Sequence, residues 1–189
     1  MQVILGTSSK LRLSVMQTLG IPFRVVPSNF DEELTKLSDV KDLVITTAKG
    51  KASVLAPQFP NDVVITVDSN NFFNGKKYGK PESREQARDW LIAMAGKPQE
   101  FYTALVLTHH ALAKQTVDLN VSRFFFKPYG AELVDKYLAE VEPTTMSIGW
   151  AAKGLGLEFL DHFEGEPGAM NALPLDTLKL RLREFGIKV

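Results

Sequence analysis

Apolar residues follow two different spacings along this chain, and the spacing separates predicted strands from predicted helices. Continuous β-branched runs are typical of buried strands, and the run at 63–67 is the clearest, so it predicts a central strand. The segments 101–108 and 117–126 predict two long antiparallel strands. Shorter strands are predicted at 2–5, 21–26 and 157–163.

Elsewhere the apolar residues recur every three or four positions, as they do on one face of a helix. A helix is predicted after Ser9, a good N-cap residue, and another after the capping box Ser83-Arg84-Glu85-Gln86. Three more helices are predicted at 40–56, at 131–141 and from Pro174 onward.

Together, these elements predict an α/β or α+β fold, with helices flanking a twisted mixed β-sheet. Asn74-Gly75 lies between two short strand segments and predicts a β-hairpin within that sheet. The chain has 189 residues, of which 44% are hydrophobic, and this is enough for one sizeable core. We therefore expect a single domain over 1–189.

Composition and charge narrow the functional classes. The chain has 22 Lys plus Arg and 22 Asp plus Glu, so it lacks the basic excess of a nucleic-acid binder, and no nucleic-acid partner is expected. It has no cysteine, which excludes disulfides, thiol catalysis and thiolate metal sites. The first residues do not resemble a signal peptide, and no segment is apolar for long enough to span a membrane. A cytoplasmic protein with no membrane partner is therefore expected.

The first candidate site lies where the first predicted strand meets the first predicted helix, at Thr7-Ser8-Ser9-Lys10-Leu11-Arg12. Such a junction directs backbone N–H groups and the positive end of the helix dipole at one point, which makes an anion site. Arg12 adds a fork of donors that suits a phosphate, and Ser9 lies at the helix terminus. Taken alone, the motif fits an ordinary capped helix with a surface arginine better.

The second candidate is acidic. Asp68 directly follows the run at 63–67, which places a carboxylate at the C-terminal end of a predicted central strand. Such an Asp can hold Mg²⁺ or orient a water molecule, and it can equally cap a turn through Ser69. Glu32 offers a second carboxylate for a metal, although the acidic stretch around it fits a solvated loop better.

Two lysines beside glycines are candidates for neutralising a triphosphate: Lys51 in Gly50-Lys51-Ala52 and Lys80 in Gly79-Lys80-Pro81. For either lysine alone, a solvated surface charge is the better interpretation. Trp150, next to a glycine, is a weak candidate for stacking on a base. The pair His109-His110 is expected in a solvated hairpin turn.

The order of these motifs resembles the Maf family of nucleotide pyrophosphatases over nearly the whole chain. The matching anchors are Thr7-Ser8-Ser9-Lys10-Leu11-Arg12, Pro27-Ser28-Asn29-Phe30-Asp31-Glu32, Lys51-Ala52, Asp68, Gly79-Lys80-Pro81, Phe101-Tyr102-Thr103, Gly154-Leu155-Gly156 and Leu173-Pro174-Leu175. The resemblance implies a Maf/inosine-triphosphatase-like fold with a cleft between two lobes. It also implies hydrolysis of a nucleotide triphosphate to a monophosphate and pyrophosphate.

The resemblance further implies a role for each matching residue. Asp68 is implied as the catalytic residue that orients, and partly deprotonates, the attacking water. Because an Asp with the ordinary pKa of about 4 is a weak base, orientation is expected to outweigh proton abstraction. A Mg²⁺ or Mn²⁺ ion is implied between the phosphates and Glu32 or Asp68, and a homodimer is one implied assembly. The implied phosphate-binding residues are Ser9, Arg12, Lys51 and Lys80.

The base pocket is implied to involve Leu11, Ser69 and Lys153. Leu11 stands where the subgroup that prefers 7-methyl-GTP carries a bulky apolar residue, so a substrate of that kind is predicted. Two alternatives stay open: a catalytically weakened nucleotide-binding or division-related interaction protein, and an inosine-triphosphate-type house-cleaning pyrophosphatase. The first alternative is motivated by departures from the family pattern at Lys10, Ser69, Ile148 and Lys153.

Overall fold

The computed structural model describes residues 1–32, 35 and 37–189. Contacts within the chain divide it into two compact units, each assembled from separate stretches of sequence. Unit 1 contains Met1–Ser69, Tyr102–Asn120 and Glu166–Val189, and unit 2 contains Asn70–Phe101 and Val121–Gly165.

The described residues form seven strands and five α-helices. The strands are β1 (Val3–Gly6), β2 (Arg24–Val25), β3 (Val63–Phe73), β4 (Lys76–Tyr78), β5 (Pro98–His109), β6 (Lys114–Phe126) and β7 (Leu160–Glu164). The helices are α1 (Lys10–Gln17), α2 (Val40–Leu55), α3 (Arg84–Met94), α4 (Ala131–Glu140) and α5 (Leu175–Glu184). Strands β3, β5 and β6 each supply residues to both units. The single domain expected from the chain length stays a prediction.

The sheet is mixed, as the sequence predicted. Its strands are hydrogen-bonded in the order β2-β1-β3-β5-β6-β7, and β4 also pairs with β3. β1 is parallel to both β2 and β3, while β4 is antiparallel to β3 and β7 is antiparallel to β6. Since the elements and their pairing agree with the expected class, the prediction of a mixed α/β fold is confirmed.

In unit 1, successive residues of β1 face opposite sides of the sheet, so the strand is buried from both sides. Val3 and Leu5 belong to a core cluster that also includes residues of α1 and α5. Ile4 packs instead with Leu55 at the end of α2 and with Val64 of β3. Helices therefore cover both faces of β1 and fix where the loops after its C-terminal end must lie.

Unit 2 contains the predicted hairpin and an aromatic core. Asn74 and Gly75 have φ angles of 48° and 75° and join β3 to β4, as expected for an Asn-Gly turn. Trp150 is buried between Phe124 and Phe126, and its ring centroid lies 5.3 Å from that of Phe124 and 5.1 Å from that of Phe126. Its Nε1 donates to a backbone carbonyl. The prediction that Trp150 is free to stack on a base is therefore wrong.

Two predicted strands are shorter than the sequence suggested. Within 21–26 only two residues pair with β1, because Ile21 and Phe23 pack against the core of unit 1 instead. Within 157–163 the strand begins late, because Gly154–Phe159 forms a 3₁₀ helix. Short apolar runs do not distinguish a strand from a packed turn by periodicity alone.

The His109-His110 pair also differs from expectation. His110 is exposed, but His109 is buried at the end of β5, and its Nδ1 accepts a hydrogen bond from the backbone N–H of Leu112 at 3.4 Å. This histidine therefore stabilises the hairpin turn rather than facing solvent. None of the described helices combines the length and hydrophobicity needed to cross a membrane.

Candidate active site

Lys51, in the fourth turn of α2, is the centre of a group of charged side chains in unit 1. Its side chain is only 10% exposed, and its Nζ lies 2.7 Å from Asp68 Oδ1 and 2.7 Å from Glu32 Oε1. One ammonium group therefore bridges two carboxylates. We call Arg12, Glu32, Lys51 and Asp68 the charged cluster.

The local packing explains why these groups meet. The Thr66 hydroxyl donates to the Ala48 carbonyl at 2.8 Å, which fixes α2 against β3 one turn before Lys51. The ring of Phe30 packs on Gly50, where an added Cβ would lie 2.3 Å from the ring. A side chain at position 50 would therefore displace the Phe30 ring, whose close contact with Gly50 brings the chain segment that carries Glu32 onto α2.

Asp68 lies two residues beyond the last β1–β3 pair, Gly6↔Thr66, where the parallel part of the pairing ends. The sequence placed it at the end of its strand, but β3 continues to Phe73 because its later residues pair with β4. Its side chain is only 13% exposed. The prediction that Asp68 ends the strand is thus wrong, although it does stand where β1 stops.

The environment changes the proton affinity of Asp68. Burial raises its pKa above the ordinary value, and this effect exceeds the opposing pull of the Lys51 and Arg12 charges. Glu32 raises the pKa slightly further. The carboxylate is therefore a better proton acceptor than an exposed aspartate, which differs from the ordinary pKa that the sequence suggested.

Arg12 enters the cluster from the first turn of α1. Ser9 caps this helix, and its Oγ accepts from the Arg12 backbone N–H at 3.4 Å. The Arg12 side chain donates from Nε to the Ala172 carbonyl at 3.2 Å and from Nη2 to Ser69 Oγ at 2.9 Å. Burial lowers the pKa of Arg12, but the guanidinium remains charged because its ordinary pKa lies far above neutrality.

The structure brings together most, but not all, of the residues predicted from the sequence. Those gathered in unit 1 are Ser9, Arg12, Glu32, Lys51, Asp68 and Ser69. Leu11 also lies in unit 1, on the exposed side of α1. Lys80 and Lys153 are exposed residues of unit 2, so their participation stays a prediction.

Two contacts of the site had no role in the sequence interpretation. Thr103, in β5, donates from Oγ1 to Ser69 Oγ at 3.2 Å, and the Ala172 carbonyl accepts from Arg12. The sequence signal for Thr103 is the Phe101-Tyr102-Thr103 anchor of the family resemblance, which implies no role for this hydroxyl. Ala172 contributes only its backbone, so no side-chain pattern could have identified it.

The carboxylates fit a divalent cation only in part. Among the described residues, no three His, Cys, Asp or Glu side chains form a group that could hold a metal ion. Mg²⁺ is commonly bound by one or two carboxylates together with substrate phosphates. Glu32 and Asp68, which converge on Lys51 Nζ, fit an ion whose remaining ligands come from a phosphorylated substrate.

Known proteins are similar to this chain over nearly its whole length. A nucleoside triphosphate pyrophosphatase of Synechococcus sp. (strain JA-2-3B'a(2-13)) is 34% identical over 185 residues, which cover 97% of this chain and 94% of that protein. A dTTP/UTP pyrophosphatase of Bacillus anthracis is 27% identical over 188 residues, covering 100% of this chain and 97% of the relative.

A solved structure shares the fold. The HAM1 protein from Coxiella burnetii superimposes with a TM-score of 0.52 at 15% identity, covering 97% of this chain and 99% of that chain. At this identity the likeness concerns the fold alone. The model of the Maf-like protein family matches residues 2–185. Because the match spans nearly the whole sequence, the chain belongs to the Maf-like protein family.

Proposed function

We propose that this protein hydrolyses a nucleoside triphosphate between the α and β phosphates and releases a monophosphate and pyrophosphate. The observation that carries the proposal is the charged cluster of unit 1. It places a buried carboxylate of raised pKa beside a buried lysine, with a partly satisfied arginine close by. The names of the relatives support the same reaction.

In this reaction Asp68 orients a water molecule and accepts its proton while the water oxygen forms a bond to the α phosphorus. The bond between that phosphorus and the bridging oxygen breaks, and pyrophosphate leaves with the electron pair. The raised pKa of Asp68 makes it a competent proton acceptor, so proton transfer contributes more than the sequence alone suggested.

Cations mask the charge that develops on the phosphates. Arg12 keeps N–H groups for a phosphate that have no partner in the described part of the chain, and Lys51 balances the carboxylates in the absence of substrate. Glu32 and Asp68 would hold a Mg²⁺ or Mn²⁺ ion that arrives with the triphosphate. Such an ion supplies charge neutralisation and Lewis acidity at the phosphates. Lys80 is proposed to bind the same triphosphate.

The base preference is the finer part of the proposal. Leu11 favours a 7-methyl-GTP-like substrate, as the sequence predicted. The names of the Bacillus relatives favour dTTP and UTP instead. Because Leu11 is 44% exposed in unit 1, its side chain is accessible to a ligand. We keep 7-methyl-GTP as the predicted substrate and treat the pyrimidine nucleotides as the competing candidates.

A panel of triphosphates tests the proposal. Pyrophosphate release is measured with 7-methyl-GTP, UTP, dTTP and ITP, each with Mg²⁺ and with Mn²⁺. Release of pyrophosphate, rather than of single phosphates, supports the reaction, and the ranking of kcat/KM decides the base. Tight nucleotide binding without release from any substrate would contradict the proposal and favour a binding protein.

A further inference from the structure

We propose that Ser69 and Thr103 are positioning residues that aim the Arg12 guanidinium at a phosphate, with Thr103 acting through Ser69. This inference rests on the proposed function only for the identity of the ligand that Arg12 binds. The three side chains form a directed chain of hydrogen bonds within unit 1. Thr103 Oγ1 donates to Ser69 Oγ at 3.2 Å, and Arg12 Nη2 donates to the same oxygen at 2.9 Å.

The geometry uses both lone pairs of the Ser69 oxygen. A serine hydroxyl has two acceptor positions and one donor position. Arg12 and Thr103 together occupy the two acceptor positions, so the orientation of the Ser69 hydroxyl is fixed from two directions. A hydroxyl that accepts twice cannot turn without losing at least one of these bonds. Ser69 is therefore a rigid support for the guanidinium rather than a mobile one.

A count of donors shows what remains for a ligand. A guanidinium carries five N–H donors. Ala172 accepts from Nε and Ser69 from Nη2, so these two contacts leave three N–H groups without a partner among the described residues. Both Nη1 donors are among the three, and together with the second Nη2 donor they form the fork that suits phosphate oxygens.

The other anchor of Arg12 is set by unusual backbone. Ala172 has φ 59°, a left-handed conformation that is uncommon for residues other than glycine. This conformation ends the short 3₁₀ helix Ala169–Asn171, and the carbonyl of Ala172 accepts from Arg12. The guanidinium is thus fixed on two sides, by a turn that carries backbone strain and by a supported hydroxyl.

Burial points to a dedicated role for Thr103. It is 1% exposed and shares β5 with the fully buried core residues Leu105 and Leu107. A buried hydroxyl costs free energy unless it is hydrogen-bonded, and valine has nearly the same shape without that cost. Its side-chain hydroxyl donates to Ser69 Oγ. A threonine at this position therefore serves the contact with Ser69 rather than the core.

A thermodynamic cycle tests whether Thr103 acts through Ser69. The dissociation constant for inorganic tripolyphosphate is measured for the wild type, Thr103→Val, Ser69→Ala and the double variant. We expect affinity to fall about threefold in Thr103→Val and about tenfold in Ser69→Ala, the scale of one modest and one charge-assisted hydrogen bond. The double variant should match Ser69→Ala, because the Thr103 hydroxyl has nothing left to support.

Two controls separate positioning from loss of structure. Thr103→Ser keeps the hydroxyl and should restore wild-type affinity. Thr108→Val makes the same change in the same strand, where the hydroxyl accepts from Gln115 at 2.9 Å, and should leave affinity unchanged. In hydrolysis assays KM should rise in Thr103→Val more than kcat falls, since Arg12 binds the substrate.

Side-chain NMR provides a reading that does not depend on catalysis. The ¹⁵N relaxation of the Arg12 Nε–Hε group should show increased mobility in Thr103→Val and Ser69→Ala, but not in Thr108→Val. Unchanged Arg12 mobility, or additive losses in the double variant, would overturn the inference. If the wild type neither binds tripolyphosphate nor hydrolyses any triphosphate, the proposed function fails, and the mobility measurement alone decides the positioning role.

Discussion

Lys51 in unit 1 and Lys80 in unit 2 both follow a glycine, but their burial and their neighbours differ. Lys51 is buried and touches two carboxylates at 2.7 Å. Lys80 is exposed, and no carboxylate of the described residues lies within ion-pair distance of its ammonium group. Charges hold the first lysine in place, whereas the loop that carries the second is held by neutral groups.

Those neutral groups are three buried or half-buried side chains of unit 2, Asn71, Gln99 and Ser147, which we call the amide network. Gln99 Nε2 donates to Asn71 Oδ1, and Asn71 Nδ2 donates to Ser147 Oγ at 2.5 Å. Ser147 Oγ in turn donates to the Tyr78 carbonyl at 3.5 Å, two residues before Lys80. The network therefore reaches the backbone of the lysine loop without using a formal charge.

The next residue adds a backbone contact. The N–H of Ile148 donates to the Gly79 carbonyl at 2.7 Å, and Ile148 itself has φ 53°. A β-branched residue in the left-handed region is strained by about 1–3 kcal/mol, and such strain persists only where the surroundings over-determine it. The loop carrying Lys80 is thus fixed by shape and strain, which leaves the lysine charge available to a ligand.

The two regions should therefore respond differently to pH. Removing one member of the charged cluster changes the proton affinity of the others, because charges act on one another across the group. Removing a member of the amide network changes packing and hydrogen bonding but should not change the pKa of any group. Variants in each region test this distinction.

The largest effect is expected for Lys51→Met. The change leaves Asp68 buried without its nearest cation, and breaking a largely buried ion pair costs about 3 kcal/mol at neutral pH. Lys51 lowers the pKa of Asp68, so its removal raises the folded-state pKa further above the unfolded value. Between the unfolded-state and the folded-state pKa of Asp68, the folded state binds a proton that the unfolded state does not, so its stability falls as the pH rises through this range. Urea denaturation from pH 4 to 8 measures this slope.

The matched control for Lys51→Met is Lys49→Met, on an exposed position of the same helix. It should change the free energy of unfolding by less than about 0.5 kcal/mol at every pH. A loss of stability in Lys51→Met that is the same at pH 4 and pH 8 would contradict the electrostatic account of the cluster.

The next effect concerns catalysis by the same cluster. Asp68→Asn should lower kcat by about a hundredfold or more, the usual scale for losing a positioned base, while triphosphate still binds. In the wild type, kcat/KM should fall as the pH drops through the pKa of Asp68, and this acid limb should lie above the ordinary aspartate value of about 4.

Asp62→Asn is the matched control, because Asp62 directly precedes the same strand and accepts from the Gln2 N–H at 2.7 Å. It should keep wild-type turnover. Near-normal kcat in Asp68→Asn would remove Asp68 from the mechanism, whatever the effect on binding.

A smaller effect is expected in the amide network. Ser147→Ala removes the acceptor of Asn71 Nδ2 and leaves that donor unpaired and buried, which costs about 1 kcal/mol. Since no charged group is involved, this cost should be the same from pH 4 to pH 8. Urea denaturation measures it, and Ser53→Ala, at an exposed serine of α2, is the control. If the loss of unfolding free energy in Ser147→Ala depended strongly on pH, the proposed difference between the two regions would be wrong.

The sequence predicted the contacts that depend on local patterns. Ser9 caps its helix, Asn74-Gly75 turns its hairpin, and the run at 63–67 lies in the central strand, since each signal involves residues close together in the chain. It also identified Arg12 and Lys51 through the family resemblance. What it predicted was the identity of the charged groups rather than their arrangement.

The arrangement depends on tertiary packing that no local pattern encodes. The bridge from Lys51 to Glu32 occurs together with the packing of Phe30 on Gly50, and the anchor of Arg12 is a backbone carbonyl 160 residues away in sequence. The burial that raises the pKa of Asp68 has the same origin. For this reason the sequence assigned Lys51 to the phosphates, although the structure pairs it with carboxylates.

The smallest change in stability is expected for Lys80→Ala, which tests whether the exposed lysine serves a ligand. The tripeptide Gly-Lys-Pro occurs twice in unit 2, and the second copy supplies a matched control at Lys97. The Lys97 ammonium donates to the Ala93 carbonyl at 2.9 Å and lies 5.7 Å from the Phe73 ring centroid, so it stabilises its own unit. Lys97→Ala should therefore cost about 0.5–1 kcal/mol of unfolding free energy and leave KM unchanged.

Lys80→Ala should do the reverse. Loss of the Lys80 side chain should change the free energy of unfolding by less than about 0.5 kcal/mol, because an exposed side chain without a carboxylate partner among the described residues contributes little. The KM for the triphosphate should rise several-fold, and its dependence on salt should weaken, because one cation fewer attracts the phosphates. Enzyme kinetics at two ionic strengths measure both changes. An unchanged KM in Lys80→Ala would show that the amide network holds a loop with no part in substrate binding.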